Sequence, residues 1–262
     1  MRILVTNDDG IDAPGLHAVA TALATEGYDI TIAAPRGECS GSGSSLGTLE
    51  HGAEIAYTER RFEHLPGVQA LSFDAPPAFA VFAACAGVFG APPDLVVSGI
   101  NPGPNTGRMI LNSSTVAAAL TASTLGVRGL AVSCGFPPEH RFDTAGRIAV
   151  SAAQWMLAHS AHRAVLNVNV PDLDISEVKG VRMAPLAPRG LLGLTFDRTP
   201  DTVRLLRFAN TERLGTGTDS ALVRDGYVSI SAISAVAANS EGSGVAAHVE
   251  ACLPFPAVAS EA

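Results

Sequence analysis

The sequence predicts an α/β protein with a mostly parallel sheet flanked by helices, followed by a β-rich arm. Short apolar runs alternate with alanine-rich amphipathic segments through the first two thirds of the chain, which is the pattern of βαβ units. After Pro171 this pattern changes, and closely spaced prolines and glycines between 185 and 193 leave little helical period. We therefore predict a core at 1–175 and a C-terminal segment at 176–262. The second segment is expected to supply an arm or hairpin and a closing strand rather than an independent domain.

The individual elements follow from local signals along the chain. A first helix is predicted between Asp12, its candidate N-cap, and Gly27, with Pro14 in its first turn. The aromatic residue Trp155 is predicted to be a core residue of a later helix. Apolar runs predict strands near 2–6, 29–34, 69–73, 94–98, 128–134 and 164–170, and the alternating run GYVSISAI predicts another at 226–233. Further helices are predicted at 76–89, 114–125 and 142–159.

Composition restricts the possible partners. The 262 residues are 47% apolar with a formal net charge of -8, so no basic field is available for an extended nucleic acid. No segment has the roughly 18 consecutive apolar residues of a membrane span, and the N-terminus is typical of a strand rather than of a secretory signal. We expect a cytoplasmic protein with small-molecule ligands and no membrane partner. The four cysteines are far apart in the sequence, without the spacing of a zinc site.

Two adjacent carboxylates, Asp8 and Asp9, follow the first predicted strand. They converge only if the strand ends near Asn7 and the chain turns at Gly10, which an Asp-Gly step permits. Two carboxylates about 4 Å apart repel by about 4 kcal/mol at an effective dielectric constant near 20, which favours a shared proton or a bound cation. Hard cations such as Mg²⁺, Mn²⁺ or Ca²⁺ take oxygen ligands of this kind. A solvated turn is the alternative, and local composition alone favours it.

The loop after the second strand is rich in serine and glycine. Its Gly41-Ser42-Gly43 stretch does not match GxGxxG, and no GK[ST] follows, so dinucleotide and P-loop sites are weakly supported. The loop offers a serine oxygen to a cation or backbone N–H groups to an anion. A plain flexible linker explains the same composition equally well.

A third loop, after the strand DLVVS, holds neutral oxygen ligands and a helix start. Asn101 and Asn105 supply amide oxygens, and Ser113-Ser114-Thr115 opens an alanine-rich helix. The N-terminus of a helix offers free N–H groups and a favourable dipole to a phosphate. Simple N-capping by Ser113 or Ser114 is the alternative. In an open α/β sheet, all three loops should lie at the same edge, where ligands bind.

Five motifs, taken in order, resemble the SurE survival-protein family of metal-dependent nucleotidases. They are TNDDGIDAPGL, the AP-x4-SG-x2-SSL pattern at 34–46, PDLVVSGINPGPNTG, LNVNVP and GTDSALVRDGYVSI. The resemblance implies a Rossmann-like sheet, with the C-terminal arm making oligomer contacts in a dimer or tetramer. It also implies hydrolysis of nucleoside 5′- and 3′-monophosphates with one divalent ion per subunit, Mg²⁺ or Mn²⁺. The metal ligands then fall on Asp8, Asp9, Ser40 and Asn101.

This resemblance gives each candidate residue a role. Asp8 and Asp9 become catalytic residues, and one of them acts as proton acceptor or nucleophile. The substrate-binding set is Gly41, Asn105, Ser113, Ser114 and Thr115. These groups are expected to stabilise charge on the transferred phosphoryl group.

The chain departs from the family pattern at three places. Ser114 stands where the family has glycine, Arg108 and Met109 replace acidic residues, and the segment 75–80 keeps one proline of its motif. These departures leave two alternatives open. One is a homologue that binds a nucleotide or phosphorylated metabolite with weak or redirected phosphatase activity, and the other is a phosphatase for a specialised non-nucleotide ester.

Overall fold

The computed structural model describes residues 1–136, 140–210 and 212–236, together with residue 245. The strands are β1 (Arg2–Thr6), β2 (Asp29–Pro35), β3 (Tyr57–Arg60), β4 (Gln69–Phe73), β5 (Leu95–Pro102), β6 (Arg128–Cys134), β7 (Val165–Val170), β8 (Val181–Met183), β9 (Leu192–Arg198), β10 (Val203–Ala209) and β11 (Val228–Ile233). The α-helices are α1 (Pro14–Thr25), α2 (Pro77–Cys85), α3 (Ser114–Thr124), α4 (Phe142–His159) and α5 (Asp219–Arg224). A 3-10 helix spans Gly107–Asn112.

Nine strands form the main sheet, in the order β3-β4-β2-β1-β5-β6-β7-β11-β8. The six strands from β4 to β7 in this order run parallel, while β3 and β11 pair antiparallel with β4 and β7. The predicted mostly parallel sheet is therefore confirmed. The chain places β2 on one side of β1 and β5 on the other, which creates a topological switch point. Ligands in such sheets bind at the carboxyl ends of the strands beside that point.

Helices cover both faces of the sheet, so the central strands are buried throughout. One hydrophobic cluster joins Val5 of β1 to Leu16 of α1 and Ala149 of α4. A second cluster, on the opposite face, joins Leu4 of β1 to Ala118 of α3 and to residues of α2. Leu4 and Val5 belong to different clusters because successive side chains of a strand point to opposite faces. This two-sided burial explains the near-continuous apolar runs of the sequence.

Most predicted elements are confirmed, but two residue assignments are wrong. Ala13 is the N-cap of α1 and makes no side-chain capping bond, because Asp12 instead pairs with Arg60 at 2.6 Å. Trp155 was expected in the core, yet it is 54% exposed. The small residues of α4 and Met156 occupy its buried face, which leaves the indole on the outer one. Strands β3 and β8 and helix α5 were not predicted.

The C-terminal segment contributes to two sheets. Strands β8 and β11 extend the main sheet, and the predicted strand at 226–233 is confirmed as β11. Strands β9 and β10 form a separate antiparallel hairpin, which we call the arm, with Leu205 opposite Phe196. A β-rich arm was predicted and is confirmed, whereas the division of the chain at residue 175 stays a prediction. Among the described helices, none combines the length and the apolar character of a membrane span.

Candidate metal and phosphate site

The turn after β1 fixes the paired carboxylates. Asn7 and Asp8 are buried and Asp9 is partly exposed. The Asn7 side-chain N–H donates to the Gly10 carbonyl oxygen at 3.0 Å, and Gly10 has a φ of 110°. The chain therefore turns at Gly10, as predicted, because glycine adopts positive φ without a steric penalty. The Asp8 and Asp9 side chains consequently stand at the end of the strand rather than within it.

A bulge in β5 places Asn101 beside this turn. The pairing of β5 with β6 shifts register between Ser98 and Asn101, and the Gly99–Ile100 peptide bond is cis. Gly99 has a φ of 131°, and a Cβ at this position would lie 2.2 Å from the Val132 carbonyl oxygen. Only glycine fits such a close approach, so the sequence Ser-Gly-Ile-Asn specifies this bulge.

One hydroxyl connects two of the predicted metal ligands. The Thr115 Oγ1 lies 2.5 Å from Asp8 Oδ1 and 3.3 Å from Asn101 Oδ1. A hydroxyl has a single proton, so it shares that proton between the two oxygens. Asn101 is held from its other side, where its Nδ2 donates to the Gly103 carbonyl at 2.6 Å. The structure thus brings Asp8 and Asn101 together around the start of α3.

Burial and mutual repulsion both disfavour ionisation of the two aspartates. Burial, then the charges of Asp8 and Glu38, raise the pKa of Asp9 to about 7. Burial also raises the pKa of Asp8, although the Thr115 hydrogen bond opposes that shift. Asp9 Oδ2 is buried and has no hydrogen-bond partner among the described residues. A buried carboxylate oxygen without a partner is costly, and a bound cation would remove that cost.

The donor set indicates which cation fits. Within the described part of the chain, no group of three His, Cys, Asp or Glu side chains could hold a metal. A cation beside Asp8 and Asp9 must therefore complete its shell with amide, hydroxyl or water oxygens. Those are the ligands of hard ions such as Mg²⁺ and Mn²⁺ rather than of zinc. The residues present therefore fit the predicted ion.

The serine-rich loop is fastened to the same place. The Cys39 N–H donates to the Asp8 carbonyl oxygen at 2.7 Å. Ser114 Oγ donates to the Cys39 carbonyl at 3.0 Å and lies 2.9 Å from Ser42 Oγ. Ser40 and Gly41 follow on the exposed side of this loop. The hydroxyl of Ser114 therefore connects the loop to α3, at the position where the family pattern has glycine.

Asn105 is held by a cluster that sequence reasoning missed. Its backbone N–H donates to Asn169 Oδ1 at 2.8 Å, and its carbonyl accepts from the amides of Asn167 and Asn169, both at 2.9 Å. Its own amide donates to Ser133 Oγ at 2.8 Å. The signal was present in the sequence, since two asparagines alternate with apolar residues in a strand that is buried throughout. A buried amide requires hydrogen-bond partners.

Asp219 also has a structural role that was not predicted. Its carboxylate is fully buried and accepts backbone N–H groups from Gly107 and Ala187, both at 2.8 Å, and from Ser220 at 2.7 Å. These bonds fasten the loop after β5 to the chain segment that precedes the arm. The motif GTDSAL contained the signal, because an aspartate among small residues at a helix start is a common N-terminal feature.

The start of α3 uses its side chains inside the protein. Ser113 is the N-cap, and its side chain accepts from the Val116 N–H at 3.2 Å. Ser114 holds the serine-rich loop and Thr115 orients Asp8, as described above. What the helix offers an anion is therefore the remaining N–H groups of its first turn, together with the helix dipole. Simple N-capping by Ser113 is confirmed, whereas the phosphate cradle in the same turn stays a prediction.

Known proteins share this arrangement of sequence and fold. A family model described as survival protein SurE matches residues 3–191. The 5′-nucleotidase SurE of Stenotrophomonas maltophilia strain K279a is 36% identical over 241 residues, which is 89% of each chain. The 5′-nucleotidase SurE of Anaeromyxobacter sp. strain Fw109-5 is 42% identical over 191 residues, covering 72% of this chain and 70% of the relative. The crystal structure of the SurE protein from Aquifex aeolicus superposes with a TM-score of 0.77 at 28% identity, covering 95% of this chain and 100% of that one.

Proposed function

This chain belongs to the SurE survival-protein family, and we propose that it is a divalent-metal-dependent phosphomonoesterase that hydrolyses nucleoside 5′- and 3′-monophosphates to nucleoside and phosphate. The observation behind the proposal is the unpartnered Asp9 Oδ2, a buried atom of a partly exposed residue, beside the buried Asp8. The names of the relatives, 5′-nucleotidase SurE, agree with it. A pair of adjacent acids whose ionisation is disfavoured holds either a proton or a cation at neutral pH, and a metal-dependent hydrolase supplies a reason for the cation.

We assign the cation to Asp8, Asp9, Ser40 and Asn101. The shared contact with Thr115 supports Asp8 and Asn101 as partners, and the Cys39 N–H bond to Asp8 brings the serine loop to the same strand end. A Mg²⁺ or Mn²⁺ held by these residues would supply Lewis-acid chemistry, polarising a phosphoryl oxygen and lowering the pKa of a water. Asp8 is 3% exposed and accepts a hydrogen bond from Thr115. Its role in this proposal is therefore to bind the cation and fix its position.

The two carboxylates take different roles in this proposal. Asp9 is the more exposed of the two and is therefore the one that reaches the reacting water or ester. Its pKa near 7 without a cation allows it to exchange its proton for the cation near neutral pH. We therefore assign to Asp9 the role of proton acceptor or nucleophile.

Phosphate binding is assigned to groups around the same strand ends. Hydrogen bonds with the side chains of Asn167 and Asn169 fix the backbone of Asn105 and, with it, the position of the loop after β5. The first turn of α3, Ser113-Ser114-Thr115, supplies backbone N–H groups, and Gly41 supplies the exposed turn of the serine loop. Donors fixed in this way stabilise the charge that spreads over the phosphoryl oxygens in the transition state.

The arm suggests an assembly of several copies. Phe196 is 60% exposed and Leu205 is 49% exposed, and Phe208 is exposed to a similar extent. Phe196 and Leu205 lie directly opposite each other on one face of the hairpin, and exposed apolar side chains grouped in this way are typical of a contact surface. We propose a homo-oligomer, a dimer or tetramer, that forms through this hairpin. The cytoplasmic location stays a prediction from the sequence.

A release assay tests the proposal directly. AMP, 3′-AMP and glycerol 2-phosphate are incubated with the full chain and Mg²⁺ or Mn²⁺, then with EDTA, and inorganic phosphate is measured. We expect release with either ion, loss of release with EDTA and recovery when the ion is restored. Thermal stabilisation by AMP without any release would instead support the alternative, a binding homologue. A strong preference for one non-nucleotide ester would support the specialised phosphatase.

A further inference from the structure

Two histidine rings meet at the surface, between α1 and the chain that connects β3 to β4. His17 lies near the start of α1 and is partly exposed, and His64 is exposed. His17 Nδ1 and His64 Nε2 are 3.0 Å apart, and the centroids of the two rings are 4.9 Å apart. Neither ring is among the residues assigned to the proposed hydrolysis, so that reaction does not account for their contact.

A backbone hydrogen bond fixes which nitrogen of His17 carries its proton. His17 Nε2 lies 3.0 Å from the Ile11 carbonyl oxygen, and a carbonyl oxygen only accepts, so this nitrogen is the donor. The lone pair of the neutral ring is then on Nδ1, the atom that faces His64. Burial, followed by the nearby His64, lowers the pKa of His17. The ring is therefore neutral at pH 7, with its lone pair directed at its neighbour.

The hydrogen bonding of His17 is that of a metal-binding histidine. Such a residue binds the ion through one ring nitrogen and donates the N–H of the other to a backbone carbonyl or a carboxylate, which orients the ring and makes it more basic. His17 makes the second of these two bonds with Ile11. Phe62 packs edge-on against His17, with the ring centroids 4.4 Å apart, and this contact restricts rotation of the imidazole further.

The distance between the two nitrogens fits a transition-metal ion. Bonds from zinc to imidazole are about 2.0–2.1 Å long, so a tetrahedral ion bound to both nitrogens places them about 3.3 Å apart. The observed distance of 3.0 Å is close to this value, and the exposed His64 can make the small adjustment. Arg60 is paired with Asp12 at 2.6 Å, so its charge, which also acts on His17, is largely neutralised.

We propose that His17 and His64 bind a divalent transition-metal cation such as Zn²⁺ or Ni²⁺, at a second cation site separate from the acidic pair. Imidazole nitrogens suit these ions, whereas Mg²⁺ takes oxygen ligands. Since no group of three His, Cys, Asp or Glu side chains forms within the described residues, water completes the shell and the ion is exchangeable. In the metal-free chain His64 Nε2–H donates to His17 Nδ1. When the ion binds, this proton moves through water to His64 Nδ1.

A bound ion joins two parts of the chain that lie 47 positions apart. One part is α1, and the other is the connection from β3 to β4. The ion also stabilises the hydrogen bond from His17 to Ile11, which belongs to the turn that follows the acidic pair. Because the ion binds the folded chain, its effect on stability grows with its concentration.

Isothermal titration with Zn²⁺ tests the proposal on the full chain, treated with EDTA, desalted and kept in excess Mg²⁺. We expect the parent to bind Zn²⁺ at a site that His64→Gln and His17→Gln each weaken at least tenfold. The loss of a partner behind a metal ligand already costs about 10–100-fold in affinity, and here a ligand itself is lost. His51→Gln is the matched control, because His51 is an exposed histidine outside the pair. Its affinity for Zn²⁺ should stay within twofold of the parent.

Asp9→Asn separates this site from the acidic pair. If Asp9→Asn binds Zn²⁺ as the parent does while His64→Gln does not, the inference holds whether or not any ester is hydrolysed. If the parent binds no Zn²⁺, or His64→Gln binds it with the parent's affinity, a hydrogen bond alone joins the rings and the inference is overturned. If Asp9→Asn loses the Zn²⁺ that His64→Gln keeps, the ion binds at the acidic pair, which overturns the inference and leaves the proposed metal-dependent hydrolysis standing.

Discussion

The candidate site and the arm differ in whether one copy of the chain satisfies their side chains. At the site, polar side chains find partners within the chain: Asp8 with Thr115, Ser114 with the serine loop, and Asn105 with two asparagines of β7. In the arm, every residue of β10 is exposed, and its large apolar side chains face outwards. Contacts inside one copy determine the first region, and the Asp9 Oδ2 atom is the group of the acidic pair that they leave without a partner in the described part of the chain. The second has an apolar surface that a single copy leaves uncovered.

The contrast teaches where each kind of substitution should act. Changes at the site should alter turnover or local stability and leave the assembly intact. Changes on the arm should alter the assembly and leave the chemistry of each copy nearly unchanged. The four predictions below test this separation, from the largest expected effect to the smallest.

Asp9→Asn should cause the largest loss. The amide cannot balance a dication or accept a proton, so metal-dependent phosphate release should fall by about a thousandfold, which corresponds to about 4 kcal/mol of transition-state stabilisation. Steady-state release from AMP with Mg²⁺ measures the effect, and circular dichroism should show an unchanged fold. Asp12→Asn is the control, because Asp12 lies on the same turn but pairs with Arg60 on the surface. Turnover of Asp9→Asn within tenfold of the parent would overturn the metal assignment.

Asp219→Ala should cost about 3 kcal/mol of unfolding free energy. The substitution removes a buried acceptor and leaves the N–H groups of Gly107, Ala187 and Ser220 without it. Urea unfolding measures the loss, and phosphate release should fall with it because the loop after β5 is loosened. Asp225→Ala, at the exposed end of the same helix, should cost less than about 0.5 kcal/mol. Equal losses in the two variants would show that Asp219 does not hold the site loop.

Local rules were sufficient to predict one half of the site. The turn at Gly10, the two carboxylates beyond β1 and the helix start at Ser113 all follow from residues within a few positions of one another. The partners that fix these groups could not be predicted in the same way. Thr115 reaches Asp8 across 107 positions and Asn169 reaches Asn105 across 64. Such pairings depend on strand order, which a single sequence does not specify.

The two wrong assignments have the same origin. Asp12 was a plausible cap, but Arg60 from β3, a strand that was not predicted, attracts its carboxylate outwards. Trp155 was predicted to be a core residue because it lies among alanines on a predicted helix, but those small alanines allow α4 to pack closely against α1 and leave no room for an indole. The strands of the arm were hard to delimit for a related reason. They face no core of their own, so no buried face imposes a regular alternation on their sequence.

Substitutions on the arm should act on assembly alone. Phe196→Ser combined with Leu205→Ser removes two directly opposed apolar side chains, and the dissociation constant of the oligomer should rise about a hundredfold. Light scattering over a range of concentrations measures it. The opposed polar pair Arg204→Ser with Asp197→Ser is the matched control on the same hairpin. Either of two results would remove the contrast between the two regions. One is an oligomer whose dissociation constant is unchanged. The other is phosphate release per chain that falls more than twofold below that of the parent at concentrations where the parent is dissociated.

The smallest effect concerns the metal-free protein and its pH dependence. The pKa of Asp9 in the folded state, about 7, lies above the ordinary value of 3.8, so the folded state binds more protons between these two values. The free energy of unfolding should therefore fall as pH rises from about 4 to 7 and level off above 7. Asp9→Asn removes the part of this dependence that comes from Asp9, and in EDTA at pH 8 the variant should be more stable than the parent by about 1–2 kcal/mol, less than the full shift because Asp9 is partly exposed.

Urea unfolding at pH 4 and at pH 8, with EDTA and with Mg²⁺, measures this last effect. At pH 4 the parent carboxyl is largely protonated and the difference between parent and Asp9→Asn should nearly vanish. At pH 8, Mg²⁺ should stabilise the parent and have little effect on the variant, because a ligand that binds the folded state adds to its stability. The arm variants should follow the parent under every condition, since their substitutions leave the acidic pair untouched. If Asp9→Asn is no more stable than the parent in EDTA at pH 8, the folded chain tolerates the acidic pair without an ion. The site would then need no group from outside the chain, just as the rest of the core needs none.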